Sequence, residues 1–419
     1  MTGIDVPALD RGVLRELFDL RTNRSTLTGG DYADDPYPAW HELRARGPVL
    51  PGTVHELTGY PGDALFHGLP FPERDHFSAF GFAACDAAYR NDTVFASSPG
   101  AADGSVDDVG FEHSMLMMGG ARHRRYRGLV QPSFVPARAQ WWIAGWIRRT
   151  VDALVDAIVA EGRAELNVDF CAAIPVLTIT GSFGIPVADA LEVRRSLFAD
   201  PTSVTERLGP VVAARRDRPE DDLISVLVQA ELTEEDGSRH RLSDPEIFSF
   251  ALLLLMAGSG TTWKQMGITL AALLARPALL DAVRADRDLL RAAIEESVRW
   301  MPTDPMFSRW VAGDTELAGV AIPKGSVLHL CLGAANRDPE RWDRPDEYDP
   351  ARPLRPGLGF GGGPHICLGM HVARAEMAVG IGALLDRLPN LRLDPDAEPP
   401  RPVGLYERGV MEIPVLFDA

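Results

Sequence analysis

The longest run of apolar positions in the chain lies between Ser243 and Pro277, and its pattern predicts one long helix. Ser243 and Glu246 have the spacing of a capping box with Pro245 in the first turn, and Arg276-Pro277 marks the predicted end. At 1.5 Å per residue such a helix is about 50 Å long, enough to cross a whole domain.

The centre of this helix reads LLLLMAGSGTTWKQ and contains two glycines, Gly258 and Gly260. A glycine in a helix interior costs about 1 kcal/mol relative to alanine. Close packing against a neighbouring element is one explanation for accepting that cost.

A second pattern surrounds Cys367, in the segment GFGGGPHICLGMHVARAE from residue 359 to 376. Gly361 to Gly363 can take backbone angles closed to other residues, and Pro364 stiffens the exit from that run. Backbone N–H groups and a helix N-terminus around the sulfur favour the thiolate, which is a metal ligand or a nucleophile. The helix itself is predicted from apolar residues at helical spacing: Met377, Ile381, Leu384, Leu385 and Leu388.

Short alternating segments predict small sheets elsewhere. FSRWVAGDTELAGVAIPKGSVLHL, residues 307–330, has the pattern of short strands and turns, and VGLYERGVMEIPVLF, residues 403–417, predicts a hairpin around Arg408-Gly409. The predicted fold class is therefore mainly α with small β-sheets.

Composition and charge exclude several classes of protein. The chain has 419 residues, is 46% hydrophobic and carries a formal charge of −17, from 42 Lys and Arg against 59 Asp and Glu. We expect no nucleic-acid partner, because a negative surface repels a polyanion. The charged N-terminus is unlike a signal peptide, and the stretch FALLLLMAG is about half the roughly 20 residues that span a bilayer. We expect a cytoplasmic protein without a membrane segment.

Four cysteines lie far apart and form no CxxC pair, so neither disulfides nor a structural zinc site are expected. Cys85, Cys171 and Cys331 are predicted to be small buried hydrophobic residues. Cys367 alone has neighbours that indicate chemistry.

The segment from Phe360 to Gly369 resembles the haem-binding loop of the cytochrome P450 family, in which the cysteine thiolate is the axial ligand of the iron. The resemblance implies that Cys367 binds the iron of haem b (iron-protoporphyrin IX) and that Phe360, Gly361 and Gly369 lie against the cofactor. DPYPAWHELRARGPV and HRRYRGLVQPSF resemble further family helices. This likeness implies one P450 domain over residues 31–419, a triangular helical domain with a minor β subdomain, after an N-terminal extension over residues 1–30.

Family resemblance assigns further residues to cofactor binding and to a structural ion pair. His123, Arg127, Arg309 and His365 are implied partners of the haem propionates, which need cations or donors when buried. Glu296 and Arg299, three residues apart on one helix, resemble the family's structural ExxR pair, with Arg341 as the expected third member.

On the oxygen side, the resemblance places Ala257, Thr261 and the two glycines of the long helix beside the haem. The glycines are expected to leave room for dioxygen and substrate over the iron. The family usually has an acid before the threonine, whereas this chain has Gly260, which cannot relay a proton. We predict a relay through water ordered by Ser259 and Thr261; a carboxylate such as Asp304 or Glu407, direct use of peroxide, or Gly260 simply accommodating a bulky substrate are the alternatives.

The resemblance implies a monooxygenase that inserts one atom of O2 into an apolar small molecule, by hydroxylation or O-dealkylation. Electrons would come from a ferredoxin-type partner or a flavin-containing reductase, steered by the basic cluster Arg122, Arg124, Arg125 and Arg127. The alternatives are a peroxygenase and a non-catalytic haem sensor, with a cysteine hydrolase far behind because no histidine and acid accompany Cys367. A monomer is expected.

The substrate pocket implied by the resemblance is mostly apolar. Arg408 is a candidate anchor for an acidic group on the substrate. The expected lining residues are Phe111, Met115, Met117, Leu254, Gly258, Thr303, Asp304, Met306, Phe307, Tyr406 and Arg408.

Overall fold

Helices dominate the computed structural model, which describes residues 10–20, 35–59, 71–103 and 114–419. Phe111, a predicted pocket residue, lies outside these ranges. The helices are α1 Arg11–Phe18, α2 Tyr37–Arg46, α3 Val54–Thr58, α4 Phe82–Arg90, α5 Pro99–Asp103, α6 Gly120–Val130, α7 Ala139–Trp142, α8 Arg148–Ile158, α9 Ala173–Ser182, α10 Val187–Ala199, α11 Pro201–Asp217, α12 Leu223–Gln229, α13 Asp244–Leu274, α14 Pro277–Ala285, α15 Arg287–Trp300, α16 Leu332–Ala335 and α17 Met370–Arg387.

Short strands form the rest of the regular structure, so a mainly α fold with small sheets is confirmed. A mixed sheet has the order β1-β2-β10-β7-β3, and a smaller one has the order β11-β14-β4. The strands are β1 Val49–Pro51, β2 His76–Ala79, β3 Phe95–Ala96, β4 Arg163–Glu165, β5 Glu231–Thr233, β6 Arg239–Arg241, β7 Met306–Val311, β8 Thr315–Leu317, β9 Val320–Ile322, β10 Val327–Cys331, β11 Arg392–Leu393, β12 Pro402–Val403, β13 Gly409–Val410 and β14 Pro414–Leu416.

The predicted hairpin near the C-terminus is present in a tighter form. Strands β12 and β13 pair antiparallel with Val403 opposite Gly409, so residues 404–408 form the turn. This turn carries Glu407 and Arg408 toward α13, which packs against β13.

The long helix α13 has the predicted limits. The backbone N–H of Ser243 donates to Glu246 Oε2 at 2.9 Å, which closes the capping box, and the helix ends before Pro277. It packs against α9, α11, α15 and α17 at the centre of the fold. By length and composition α13 could also cross a membrane, as could the sharply bent pair Asn167–Ser182 and Val187–Leu197 if counted as one span; half of the most apolar part of α13 is buried in the protein.

Helix α1 lies within the segment predicted to be an extension, yet it contributes to the core. Leu14 and Phe18 are 2% and 1% exposed, and the ring of Phe18 meets Trp263 of α13 edge-on at 5.5 Å. The predicted boundary at residue 30 therefore does not separate this helix from the domain core.

A buried ion pair on α15 organises the segment that leads to Cys367. The Arg299 guanidinium donates to both Glu296 carboxylate oxygens, at 2.8 and 2.7 Å. It also donates to the carbonyl of Asn336 at 2.9 Å and to those of Pro345 and Glu347 at 2.8 and 3.0 Å. Asn336 Oδ1 in turn accepts from the Leu358 amide at 2.7 Å, so the pair is linked to the loop before the cysteine.

The predicted third member of this network, Arg341, is wrong. The guanidinium that reaches Glu296 belongs to Arg352, with Nε at 3.4 Å from Oε1 and an 8% exposed side chain. Arg341 instead donates to the Pro356 carbonyl at 2.7 Å and lies 3.9 Å over the ring of Phe82. The reason is that the chain runs along α15 from Pro345 onward, where the Asp349 amide also donates to Glu296 at 3.0 Å, and Arg341 lies before this segment.

We predict that Arg352→Gln lowers the free energy of unfolding by about 1–3 kcal/mol, because Glu296 would lose a buried cationic neighbour. Arg341→Gln is the matched control and should cost less than about 1 kcal/mol, since its partners are one carbonyl and two aromatic rings. Thermal unfolding of both variants measures the difference. A larger loss for Arg341→Gln would contradict the assignment.

Candidate functional site

The loop before Cys367 is held tightly against α4. Gly361 and Gly363 have positive φ values of 70° and 62°, which favour glycine. A Cβ at position 363 would lie 1.9 Å from the Tyr89 carbonyl oxygen, so no other residue fits there. The Cys367 amide donates to the Phe360 carbonyl at 2.8 Å and closes the loop just before α17.

Of the four cysteines, Cys367 is exposed and the other three are buried. Burial raises the pKa of the Cys85 and Cys171 thiols well above the ordinary value and that of Cys331 to about 12, in keeping with their predicted packing role.

The protonation of Cys367 differs from expectation. Desolvation by the surrounding protein raises the pKa of its thiol, although the Gly369 amide and the charges of Arg127 and Arg374 act to lower it. The Gly369 amide therefore favours the thiolate in the predicted direction, but it does not offset desolvation. A bound metal ion would supply the missing stabilisation at Cys367, since a coordinating thiol is deprotonated outright.

Two histidines and two arginines lie together beside Cys367. The rings of His123 and His365 stack at a centroid distance of 3.9 Å, and the charges of Arg127 and Arg309 act on His365. Burial lowers the pKa of His123 to about 4 and that of His365 to about 3, so both rings are neutral at pH 7. Arg127 donates to the Ile366 carbonyl at 2.7 Å.

This group has unused hydrogen-bonding capacity. His123 Nδ1 and His365 Nε2 are buried and have no partner among the described residues. Arg309 is 8% exposed, donates to its neighbouring Ser308 carbonyl and lies 4.8 Å over the Tyr89 ring. Two neutral donors and two cations in one place suit a ligand with two carboxylates.

The surroundings of the sulfur also fit a flat cofactor. A Cβ at Gly369 would meet nothing within 4 Å, so space lies beside the exposed sulfur. Together with the unpartnered donors, this geometry fits haem, with Cys367 as iron ligand and His123, Arg127, Arg309 and His365 around the propionates. When bound, the haem supplies oxygen activation, with the thiolate pushing electron density to favour O–O cleavage.

On the oxygen side, α13 presents one accessible face. Ala257 is exposed and Thr261 half-buried one turn later, with Thr261 Oγ1 donating to the Ala257 carbonyl at 3.1 Å. These two predicted residues share one face because they are four positions apart.

The two glycines of α13 do not open this face, contrary to prediction. A Cβ at Gly258 would lie 3.2 Å from Ile179 Cγ1, so Gly258 serves close packing against α9. A Cβ at Gly260 would lie 3.9 Å from both terminal nitrogens of Arg194 and from Glu407 Oε1. Small side chains in a helix indicate a close neighbour, but not which neighbour.

Ser259 is also misassigned as a water-ordering residue of the oxygen side. It is fully buried, and its hydroxyl accepts from Arg194 at 3.0 Å, away from the face of Ala257 and Thr261.

Two predicted pocket residues are committed to internal contacts. Tyr406 is 2% exposed and its hydroxyl is hydrogen-bonded to His55. Arg408 is also 2% exposed and donates to the Gly404 carbonyl, so the prediction that it anchors an acidic substrate is wrong. Of the remaining described lining candidates, Met117, Gly258, Asp304 and Phe307 are half-buried, and Met115, Leu254, Thr303 and Met306 are buried.

Sequence analysis missed two buried charged residues. Lys264 Nζ donates to Glu407 Oε1 at 2.5 Å, and Lys264 was detectable as the one charged residue between Glu246 and Arg276. Burial raises the pKa of the Glu376 carboxyl on α17 to about 8, although the nearby hydroxyls of Thr178 and Thr262 act to lower it. No pattern in the sequence distinguishes Glu376 from an ordinary surface acid.

Helices enclosing an exposed cysteine, with propionate partners beside it, define a haem-thiolate enzyme. The family model described as Cytochrome P450 matches residues 204–412. PikC, a cytochrome P450 monooxygenase of Streptomyces venezuelae, is 33% identical over 87% of this chain and 87% of its own length. Nocardicin C N-oxygenase of Nocardia uniformis subsp. tsuyamanensis is 30% identical over 94% of this chain and 98% of its own length.

The crystal structure of Rif16 matches with a TM-score of 0.76 at 30% identity, over 93% of this chain and 99% of Rif16. The chain belongs to the cytochrome P450 family. It is an oxidoreductase of the monooxygenase class with haem b as its cofactor, which confirms the expected fold, class and cofactor.

We predict that Cys367→Ser abolishes the red-shifted Soret band that the reduced protein shows with carbon monoxide, because serine offers no thiolate to the iron. Cys331→Ala is the matched control and should keep the band, since that thiol is buried in β10. Absorption spectra of both variants, reduced and with carbon monoxide, test whether Cys367 is the iron ligand. A band that survives Cys367→Ser would place the ligand elsewhere.

Proposed function

We propose that this protein uses O2 and two electrons to insert one oxygen atom into an apolar small molecule, by hydroxylation or O-dealkylation. The observation that carries this is the accessible face of α13, where the Thr261 hydroxyl lies one turn from the small residue Ala257. A hydroxyl there can hydrogen-bond bound oxygen, for which a haem sensor has no need. The proposal includes a cytoplasmic monomer.

Relatives support a small-molecule oxygenase. PikC is named a monooxygenase and nocardicin C N-oxygenase an oxygen-inserting enzyme. Together with the loss of Arg408 as a candidate anchor, the apolar residues Met117 and Phe307 favour an apolar substrate without an acidic group.

For the electron donor, we infer a ferredoxin-type protein that docks beside Cys367. A groove of about 390 Å³ lies on this side and is lined in part by Phe360, Ile366 and Arg374. Leu354, which also lines it, is 74% exposed, and Ile366 is 36% exposed. Exposed apolar side chains of this kind mark interaction surfaces.

Charge favours an acidic partner at this groove, despite the formal charge of −17 on the whole chain. Arg124 is exposed on α6, three residues before Arg127, which contacts the Ile366 carbonyl. Arg125, the other expected docking residue, is engaged by Glu234 and Glu235 at 3.7 and 3.0 Å. Arg124 is therefore the better steering residue.

We predict that Arg124→Glu slows reduction by an acidic ferredoxin roughly 3- to 10-fold at low salt, with the difference shrinking as salt screens the charges. Arg125→Gln is the control and should have a smaller effect, because its charge is already neutralised. Stopped-flow reduction at several ionic strengths measures this. Identical rates for Arg124→Glu and the unaltered protein at every salt concentration would sink the docking assignment; fast reduction only by a flavin-containing reductase would replace the ferredoxin.

The oxygen-using function is tested at Thr261. We predict that Thr261→Ala lowers product formed per electron pair about 2- to 10-fold and raises hydrogen peroxide release, because bound oxygen loses a hydrogen-bonding partner. Product and peroxide are measured with the electron donor, and the carbon monoxide spectrum checks that the site is intact. Unchanged coupling, together with fast turnover on hydrogen peroxide alone, would establish a peroxygenase instead.

A further inference from the structure

Hydrogen bonds join two loop segments that are far apart in the chain, at Thr303 and at Arg408, to each other and to α13. The Arg408 amide donates to the Thr303 carbonyl at 2.6 Å, and Thr303 Oγ1 donates to the Arg408 carbonyl at 3.1 Å. The Thr303 amide donates to Gln265 Oε1 of α13 at 2.9 Å. These bonds bring Asp304 and Glu407, the immediate neighbours of the bonded residues, to the same place.

Glu407 occupies the position beside Gly260. Its Oε1 lies 3.9 Å from where a Cβ at Gly260 would be, and 2.5 Å from Lys264 Nζ. Gly260 and Lys264 are four residues apart, on one face of α13. A Cβ at position 260 would be in ordinary van der Waals contact with Glu407, so the two positions are direct neighbours.

Arg194 of α10 adds a second cation to this position. Its guanidinium nitrogens also lie 3.9 Å from the Cβ position of Gly260. Burial lowers the pKa of Arg194 to about 10, and the negative charge of Glu407 acts against that lowering. Glu407, whose side chain is 17% exposed, therefore contacts Lys264 directly and interacts with the charge of Arg194.

Asp304 is close enough to this cluster and to the cysteine side of the site for charge interactions with both. Burial raises the pKa of its carboxyl to about 7; the charge of Glu407 adds to the rise, and that of Lys264 opposes it. On the other side, the charge of Asp304 acts on Tyr89 and on Cys367. A carboxyl that titrates near neutrality can both hold and release a proton at working pH.

We propose that Asp304 delivers protons to the oxygen side of the site and is reprotonated through Glu407, which Lys264 holds beside Gly260. This inference rests on the proposed oxygen-using function. In that reaction a substrate C–H bond, O2, two electrons from the partner protein and two protons give a C–OH group and one water. Asp304 supplies protons to the oxygen atom that leaves as water when the O–O bond breaks, and solvent restores them through Glu407.

Glu376 is the competing acid. It is 3% exposed on α17, and the hydroxyl of Thr262, the neighbour of Thr261, acts to lower its pKa. Asp304 and Glu407 are half-buried, which gives them the better connection to water. Glu376→Gln therefore belongs in the test as the rival variant.

The first experiment measures the protonation of Asp304 directly by infrared spectroscopy. In the haem-loaded protein, the infrared carbonyl band of a protonated carboxyl should titrate near pH 7 and disappear in Asp304→Asn. The midpoint should fall in Glu407→Gln, which removes a negative neighbour, and rise in Lys264→Met, which removes a positive one. Asp189→Asn, a change at a half-buried surface position, should leave it unaltered. A midpoint that survives Asp304→Asn overturns the assignment.

The second arm compares two oxidants. With O2 and the electron donor, Asp304→Asn should lower product formation on the order of 100-fold, the low end for a positioned acid, and Asp304→Glu should restore part of it. Hydrogen peroxide brings its own protons and electrons, so turnover on peroxide should stay within about 2-fold. The carbon monoxide spectrum checks haem ligation in each variant.

The outcomes separate the relay from the proposed function. If Asp304→Asn does not change oxygen-driven turnover, the proposed relay is wrong and the oxygen-using function stands. The same conclusion follows if turnover is lost only in Glu376→Gln. An unaltered protein that turns over only with peroxide overturns the oxygen-using function, and the relay with it.

Discussion

The buried pair of Glu296 and Arg299 is the interaction on which the cysteine side of this protein depends. Both side chains are nearly removed from water, so each charge would be costly without the other. Arg299 satisfies its remaining donors on three carbonyls, one of them that of Asn336. Through Asn336 the pair holds the chain at Leu358, whose own carbonyl accepts from Gly361 at the start of the cysteine loop.

Glycines complete this connection because the loop passes too close to its neighbours for side chains. A Cβ at Gly359 would lie 2.5 Å from the Val298 carbonyl oxygen on α15, and Gly363 is even closer to Tyr89 on α4. The loop is therefore clamped between two helices, and Cys367 is presented at the head of α17 without freedom to turn away. A sulfur fixed in this way binds a metal with little loss of conformational entropy.

The two sides of the site have opposite electrostatic designs. Beside Cys367, Arg127 and Arg309 supply positive charge and the two neutral histidines supply donors, as a dicarboxylate cofactor requires. Beside α13, the negative charge of Glu407 makes ionisation of Asp304 more costly, and Lys264 opposes this effect. Cofactor binding and proton handling thus use separate groups of the same molecule.

Local physics made part of this protein predictable from the sequence. The limits of α13 follow from its cap and from Pro277, and the cysteine loop with its helix follows from glycine angles and apolar spacing, because these signals act over a few residues. Only the tertiary structure decided which distant groups meet. Arg352 rather than Arg341 reaches Glu296, both helix glycines face neighbours instead of the oxygen side, and Glu407 lies beside Gly260 although 147 positions separate them in the sequence. Such pairings depend on how turns return the chain and on three hydrogen bonds around Thr303, and no local pattern of residues encodes a contact between segments so far apart.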